Sequence, residues 1–133
     1  MYARDRACQA LGIQLVDVVP GRACLRMRVT DAMVNGHGIA HGGYLFLLAD
    51  AAFAYASNAY GPVTLAQSAQ IEFLRPAAVD DRLVAEAVER TRRGLTGIYD
   101  VTICQSTGEV VAEFRGHSVV LPRARAGGDL MEG

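Results

Sequence analysis

A single carboxylate lies in the most apolar stretch of the sequence. From His41 to Asn58 the chain reads HGGYLFLLADAAFAYASN, and Asp50 is its only acidic or basic residue apart from the histidine. Apolar residues recur there at helical spacing and fill the opposite face as well, which predicts a helix that is buried on every side. An unpaired carboxylate in such a helix is costly in free energy or becomes protonated, and no Lys or Arg follows within two turns. Asp50 therefore either faces solvent or a distant Arg, or it is an active-site carboxylate.

Two glycines, Gly42 and Gly43, stand at the predicted start of this helix. Backbone N–H groups at a helix start have no intrahelical partner, and the helix dipole is positive there. Glycine also lets a ligand approach the backbone closely. Such donors stabilise the negative charge that develops on a carbonyl oxygen during acyl transfer. The glycines are thus candidate oxyanion donors, and the alternative is that they only make the turn into the helix.

The spacing of these groups predicts a site shared between chains. Asp50 follows Gly42 by eight residues, which is about 12 Å along a helix axis. One carbonyl carbon cannot contact both groups from a single helix. If both act on the same substrate, they come from two chains, and an isologous dimer then holds two equivalent sites.

Length and composition indicate one folded domain. The chain has 133 residues, of which 51% are hydrophobic and 20% charged, as expected for a single core. The net charge of −1 argues against nucleic acid as a main partner. The apolar helix is shorter than the roughly 20 residues of a membrane span, and the N-terminus does not resemble a signal peptide. Three cysteines without metal-type spacing predict reduced thiols in a cytoplasmic protein.

The N-terminal part of the chain predicts a helix followed by a hairpin. Residues 2–12 predict a short amphipathic helix with Ala7 and Leu11 facing inward, Cys8 as a further candidate for that face, and Gly12 ending the helix. Strands are predicted over 13–19 and 23–29, joined by a Pro-Gly turn.

A turn-rich loop over 30–41 leads into the apolar helix, and no further helix is predicted after it. Strand-like runs separated by turn residues follow, at 63–74, 82–92, 95–105 and 110–121. A sheet of this size covers a helix that is apolar on all sides only if it curls. The order predicts an α+β domain over 1–121, a curled antiparallel sheet around one central helix, and a disordered tail over 122–133.

The pattern Asn35-x5-His41-Gly42-Gly43-x6-Asp50 resembles the hot-dog-fold acyl-CoA thioesterases, most of all the PaaI group of phenylacetic acid degradation. The similarity covers about residues 8–120 and continues in LADAAFAYASN, IEFLRP, TGIYDV and VAEFRG. It implies a hot-dog fold, a homodimer that pairs into a homotetramer, and hydrolysis of acyl-CoA thioesters. The resemblance also implies an aromatic acyl group, phenylacetyl or a ring-hydroxylated relative.

The resemblance assigns roles to individual residues. Asp50 matches the nucleophile or general base, and Gly42 the donor to the thioester oxygen, with Gly43 beside it in the substrate site. Asn35 matches a residue that positions the thioester or the attacking group. Ser68 matches a hydroxyl residue that orients water. His41 matches a histidine that contacts the active site or packs against its loop.

Basic residues and histidines complete the set of candidates. Arg92, Arg93 and Arg115 are predicted at strand ends or turns, where each alone is most simply a solvated charge, and together they suit the phosphates of CoA. His37 and His41 have the spacing of a helical zinc pair. The glycines around them argue against a helix, and no third ligand is evident, so we predict no metal and no cofactor.

Two other functions remain open at this point. A hot-dog hydratase or dehydratase needs a histidine paired with an acid across a dimer, and His41 with Asp50 fits that description, although the HGG-helix-Asp pattern favours a thioesterase. A non-catalytic acyl-CoA-binding module needs no carboxylate in its core helix, so Asp50 argues against it. Release of free CoA thiol, as opposed to a changed double bond, separates the first two.

Overall fold

The structure is a computed structural model and describes residues 1–122. The helices are α1 (Arg6–Ala10) and α2 (Gly42–Asn58), and the strands are β1 (Gln14–Val19), β2 (Arg22–Arg28), β3 (Thr64–Phe73), β4 (Arg82–Arg93), β5 (Thr96–Gln105) and β6 (Val110–Val120). The strands form one antiparallel six-stranded sheet in the order β1-β2-β4-β5-β6-β3. Helix α2 packs against all six strands, so the predicted curled sheet around one central helix is confirmed.

Helix α2 is buried on most of its circumference, as its sequence predicts. The buried residues are Leu45, Leu48, Ala49, Ala51, Ala52, Phe53, Tyr55, Ala56 and Ser57. The ring of Phe53 packs against Tyr99 and Phe114 at centroid distances of 5.4 and 5.8 Å, within the range that aromatic pairs prefer. A Cβ atom on Gly116 of β6 would lie 2.7 Å from the Phe53 ring. The sheet therefore needs a glycine there to let the helix approach.

The N-terminal segment differs from the prediction of one helix over 2–12. A 3₁₀ turn at Tyr2–Arg4 precedes α1, and Asp5 caps α1 by accepting a hydrogen bond from the Cys8 N–H at 3.1 Å. An N-cap residue has non-helical backbone angles, so it divides the segment in two. The predicted inward position of Ala7 is wrong, because Ala7 is exposed, whereas Cys8, the further candidate, is buried and Leu11 is half-buried. Gly12 ends this region with a φ of +71°, as predicted.

The strand predictions agree with the structure to within a few residues at each end. The predicted tail over 122–133 lies outside the described residues, apart from Pro122. None of the helices in residues 1–122 has both the length and the apolar character that a membrane crossing requires.

Strands β1 and β3 form the two edges of the sheet. Within residues 1–122, the ten residues of β3 pair only with β6, and most of them are exposed, including Leu65 at 42% and Phe73 at 52%. A long edge strand with exposed apolar side chains is a template for pairing with another chain.

Candidate active site

The first turn of α2 presents free backbone donors. His41 is the N-cap residue, with an extended backbone and no side-chain capping bond. Its N–H donates to the Met33 carbonyl at 2.9 Å, and its carbonyl accepts from the Tyr44 N–H at 3.0 Å. Within residues 1–122, the N–H groups of Gly42 and Gly43 have no acceptor outside the helix. They are positioned to bind a ligand oxygen at the positive end of the helix dipole.

The two glycines have different surroundings. A Cβ atom added to Gly42 would lie 2.7 Å from Cζ of Phe73, whereas one added to Gly43 would meet nothing within 4 Å. Only glycine fits at position 42 while the Phe73 ring keeps its place. A cavity of about 330 Å³ opens beside this contact, between the first turn of α2 and the end of β3.

Asp50 lies in the middle of α2 and is partly buried. Across the described residues it forms neither a hydrogen bond nor an ion pair, and burial raises the pKa of its carboxyl above the usual range. No Arg of residues 1–122 forms an ion pair with Asp50. A carboxylate with a raised pKa is a stronger base, which suits the role of general base or nucleophile.

Gly42 and Asp50 belong to the same unbroken helix, so the premise of the spacing argument is correct. The eight residues between their positions correspond to about 12 Å along the axis. Asp50 is also not among the residues that line the cavity beside Gly42. One protomer therefore does not bring the two groups together.

Asn35 organises the loop that leads into α2. Its side-chain Oδ1 accepts hydrogen bonds from the N–H groups of His37 and Ile39 at 2.8 and 3.1 Å. Its backbone N–H donates to the Ile39 carbonyl at 2.8 Å, and its carbonyl accepts from Gly38 at 3.0 Å. This is the local turn chemistry for which asparagine is favoured. This role was not predicted from the sequence, although the Asn-Gly-x-Gly run is a signal for it. Within residues 1–122 the Nδ2 group of Asn35 makes no hydrogen bond, so it can donate to a ligand.

Of the candidate residues, His37, His41 and Ser68 lie at the surface. His37 and His41 are exposed, and residues 36–41 are not helical, as their glycines predict. In the part of the chain that the structure describes, no cluster of three or more His, Cys, Asp or Glu residues is placed to hold a metal. Ser68 follows a bulge in β3, pairs with His117 in register, and has no hydrogen bond to Asp50 within these residues.

The three candidate arginines occupy different environments. Arg92 stacks over the Tyr60 ring, with Cζ 3.7 Å from the centroid. Arg92 and Arg93 line a cavity of about 530 Å³ together with Gln67, Thr91, Thr96, Gly97, Ile98 and His117. Arg115 is not part of this cavity and makes a bidentate pair with Asp100, with N–O distances of 2.6 and 2.8 Å. That pair lowers the pKa of the Asp100 carboxyl.

Comparison with known proteins places the chain in a family. Residues 37–112 match the thioesterase superfamily. Acyl-coenzyme A thioesterase PaaI of Escherichia coli strain K12 is 45% identical over 118 residues, covering 89% of this chain and 84% of that protein.

Solved structures agree with this match. The structure of the E. coli PaaI protein from the phenylacetic acid degradation operon has a TM-score of 0.90 and 43% identity, covering 92% of this chain and 88% of that chain. A Streptococcus mutans UA159 protein bound to acetyl-CoA has a TM-score of 0.79 and 25% identity, covering 82% of this chain and 88% of that chain. These similarities confirm the predicted hot-dog fold. The chain therefore belongs to the thioesterase superfamily and, within it, to the PaaI group of hot-dog-fold acyl-CoA thioesterases.

Proposed function

We propose that the protein hydrolyses aromatic acyl-CoA thioesters, phenylacetyl-CoA or a ring-hydroxylated relative, to the free acid and CoA. The observation that carries the proposal is Asp50, a partly buried carboxylate in α2 that has no hydrogen-bond or ion-pair partner within residues 1–122 and whose pKa is raised by burial. The aromatic preference is supported by the 45% identity to the E. coli PaaI thioesterase and by that protein's origin in the phenylacetic acid degradation operon.

The proposed reaction uses the free donors of the first turn of α2. The Gly42 N–H donates to the thioester carbonyl oxygen, beside the Gly43 N–H, and stabilises the negative charge that forms on attack. In one route Asp50 removes a proton from a water that attacks the carbonyl carbon, and the free acid forms as the C–S bond breaks. In the other route Asp50 itself attacks the carbonyl carbon, the C–S bond breaks to leave a mixed anhydride, and water then hydrolyses that anhydride. In both routes CoA leaves as a thiolate that takes up a proton.

Three further side chains support this chemistry in the proposal. Asn35 donates from Nδ2 to the thioester or the attacking group while Oδ1 holds the loop. Ser68 orients the water, and His41 borders the site at the N-cap of α2.

The site is completed by a second copy of the chain in the proposed assembly. Gly42 and Asp50 lie too far apart on α2 to meet at one carbon, so each site takes one group from each chain. The edge of β3, which has no strand beyond it within residues 1–122 and exposes Leu65, is the surface at which two copies are expected to pair. Two such homodimers form a homotetramer in this proposal.

The CoA moiety is expected to lie near Arg92 and Arg93, because both border one cavity and guanidinium groups bind phosphates well. Arg115 is already paired with Asp100, so it would have to leave that pair to join them. A cytoplasmic location is part of the same proposal, since Cys8, Cys24 and Cys104 are free thiols and acyl-CoA is an intracellular thioester.

The deciding experiment is a thiol-release assay across a panel of aromatic, medium-chain and long-chain acyl-CoAs, run on the wild type and on Asp50→Asn. We expect kcat/KM to be highest for an aromatic thioester and turnover to be lost in the variant. A fatty acyl-CoA that exceeds every aromatic thioester tenfold would overturn the aromatic assignment. A changed double bond without thiol release would indicate a hydratase or dehydratase, and binding without either product would indicate a binding module.

A further inference from the structure

A small apolar cavity lies directly beside the proposed carbonyl-binding donor. Its volume is about 330 Å³, near the lower end of the roughly 300–1,000 Å³ that ligand pockets occupy. Gly42 lies on its wall, and most of the other wall residues are apolar, among them Ile39, Leu45, Phe73 and Leu74. An acyl group whose carbonyl is held by the Gly42 N–H has this cavity as its nearest apolar surroundings.

Phe73 is the part of the wall that contacts Gly42. The three ring atoms Cζ, Cε1 and Cε2 lie 2.7, 3.1 and 3.2 Å from the position of a Cβ on Gly42. The outer edge of the ring is therefore fixed against the first turn of α2. Phe73 is also 52% exposed, which leaves ring surface open to a ligand.

We infer that Phe73 determines acyl-group specificity by packing against the acyl group while Gly42 holds the carbonyl. This inference rests on the proposed thioesterase function. Aromatic rings attract one another in offset or edge-to-face geometry by about 0.5–1.5 kcal/mol beyond simple burial. A flexible alkyl chain has no aromatic ring and does not gain this attraction. Phe73 therefore favours a compact aromatic acyl group over a fatty acyl group.

The test compares phenylacetyl-CoA with octanoyl-CoA in wild type, Phe73→Leu and Phe73→Ala. Leucine keeps an apolar side chain and removes the aromatic ring. We expect the ratio of kcat/KM, aromatic over aliphatic, to fall by about threefold to tenfold in Phe73→Leu and by at least as much in Phe73→Ala. Leu95→Ala is the matched control, since Leu95 is 57% exposed and lies in the β4–β5 turn. The aromatic-over-aliphatic ratio of kcat/KM in Leu95→Ala should equal that of the wild type.

A second measurement separates binding from turnover. Each Phe73 change is combined with Asp50→Asn, and the affinities for the two thioesters are measured by calorimetry. The affinity ratio should shift in the same direction as the kcat/KM ratio, while light scattering shows an unchanged oligomeric state.

The contact with Gly42 offers an independent check. Gly42→Ala should be destabilised by the Phe73 ring, so its melting temperature should recover when Phe73→Ala is added. Additive losses in the double variant would contradict the contact.

The outcomes distinguish this inference from the proposed function. An unchanged ratio in both Phe73 variants, with turnover still dependent on Asp50, overturns the role of Phe73 and leaves the thioesterase function standing. Equal losses for both substrates also overturn it, because the ring would then contact the CoA portion that they share. If the wild type hydrolyses neither thioester, the proposed function fails, and the calorimetric ratio alone decides the role of Phe73.

Discussion

Gly42 and Asp50 lie eight residues apart on one unbroken helix, about 12 Å along its axis. The first residue presents an N–H group without an acceptor outside the helix in the described residues, and the second an unpaired carboxylate. A thioester carbon must lie about 3 Å from a nucleophile and from the carbonyl-oxygen donors. If both groups act on one thioester, as we propose, a second chain must supply one of them.

Replacing Asp50 by Asn should reduce kcat by about 10²–10⁴, the range for loss of a positioned base. Asparagine has nearly the same shape, so the circular dichroism spectrum should not change. Asp17→Asn is a suitable control, because Asp17 is exposed on β1 and should leave turnover unaffected. A folded Asp50→Asn protein with wild-type turnover would remove Asp50 from the mechanism.

The pH dependence of kcat/KM should reflect the environment of Asp50. Because burial raises the pKa of this carboxyl, the acidic limb of the profile should lie above the ordinary aspartate value of about 3.9. Activity should fall as the carboxylate becomes protonated on the low-pH side. The measurement is a thiol-release profile at constant ionic strength, and a limb at or below the ordinary value contradicts this role.

The same carboxylate should lower the stability of the folded protein at neutral pH. When the pKa of a carboxyl group is higher in the folded protein than in the unfolded protein, the group favours folding most at pH values below its unfolded pKa, where it is protonated. That contribution is lost as the pH rises through the folded pKa. Asp50→Asn should therefore increase the free energy of unfolding at pH 7 by about 0.5–2 kcal/mol.

The stability gain should disappear below about pH 3.9, the unfolded pKa of aspartate. Urea unfolding of the wild type and the variant at several pH values measures it. A gain that is independent of pH would show that ionisation of Asp50 is not its cause.

Asn35 should have separable structural and functional roles. Asn35→Ala removes the acceptor of two N–H groups and should cost about 1–2 kcal/mol of stability, with a smaller loss of kcat than Asp50→Asn. Asn35→Asp keeps the acceptor oxygen and loses the Nδ2 donor, so it should retain the stability and still lose activity. Thermal melts and turnover, measured together, test this. Full activity of Asn35→Asp would assign the residue to loop structure alone.

The sequence predicted the helix and the loop around the candidate site better than it predicted individual side-chain contacts. The apolar run around Asp50 and the glycines before it define a buried helix that begins at Gly42, and the structure contains that helix. Phe73 was placed in a strand and in the IEFLRP stretch of the family resemblance, but its contact with Gly42 was not predicted, because that contact joins distant segments that no local pattern relates. The position of Ala7 was missed for a different reason, since the Asp5 cap shifts the phase of α1.

The last prediction tests whether each site draws Gly42 from one chain and Asp50 from the other. Gly42 has no side chain to delete, so the experiment substitutes Asn35, which lies in the loop before the helix and is taken to act in the same site as Gly42. Asn35→Asp is preferred here because it retains the loop's acceptor oxygen. Each variant alone, Asn35→Asp or Asp50→Asn, should be nearly inactive.

In a mixed dimer one site collects both defects and the other collects neither. Random pairing of equal amounts makes about half of the dimers mixed, and half of the sites in those are intact, so about a quarter of wild-type activity should return. The two chains carry different affinity tags, are co-expressed and are purified through both tags, so that formation of mixed dimers is established before the assay. Purified mixed dimers should then show about half of wild-type activity, because one site in two is intact. If dimers pair at random into the proposed homotetramer, the doubly tagged fraction also contains unmixed dimers and should show about two-sevenths of wild-type activity. If these dimers are inactive, Asn35 and Asp50 serve one site from a single chain, and the shared-site arrangement is wrong.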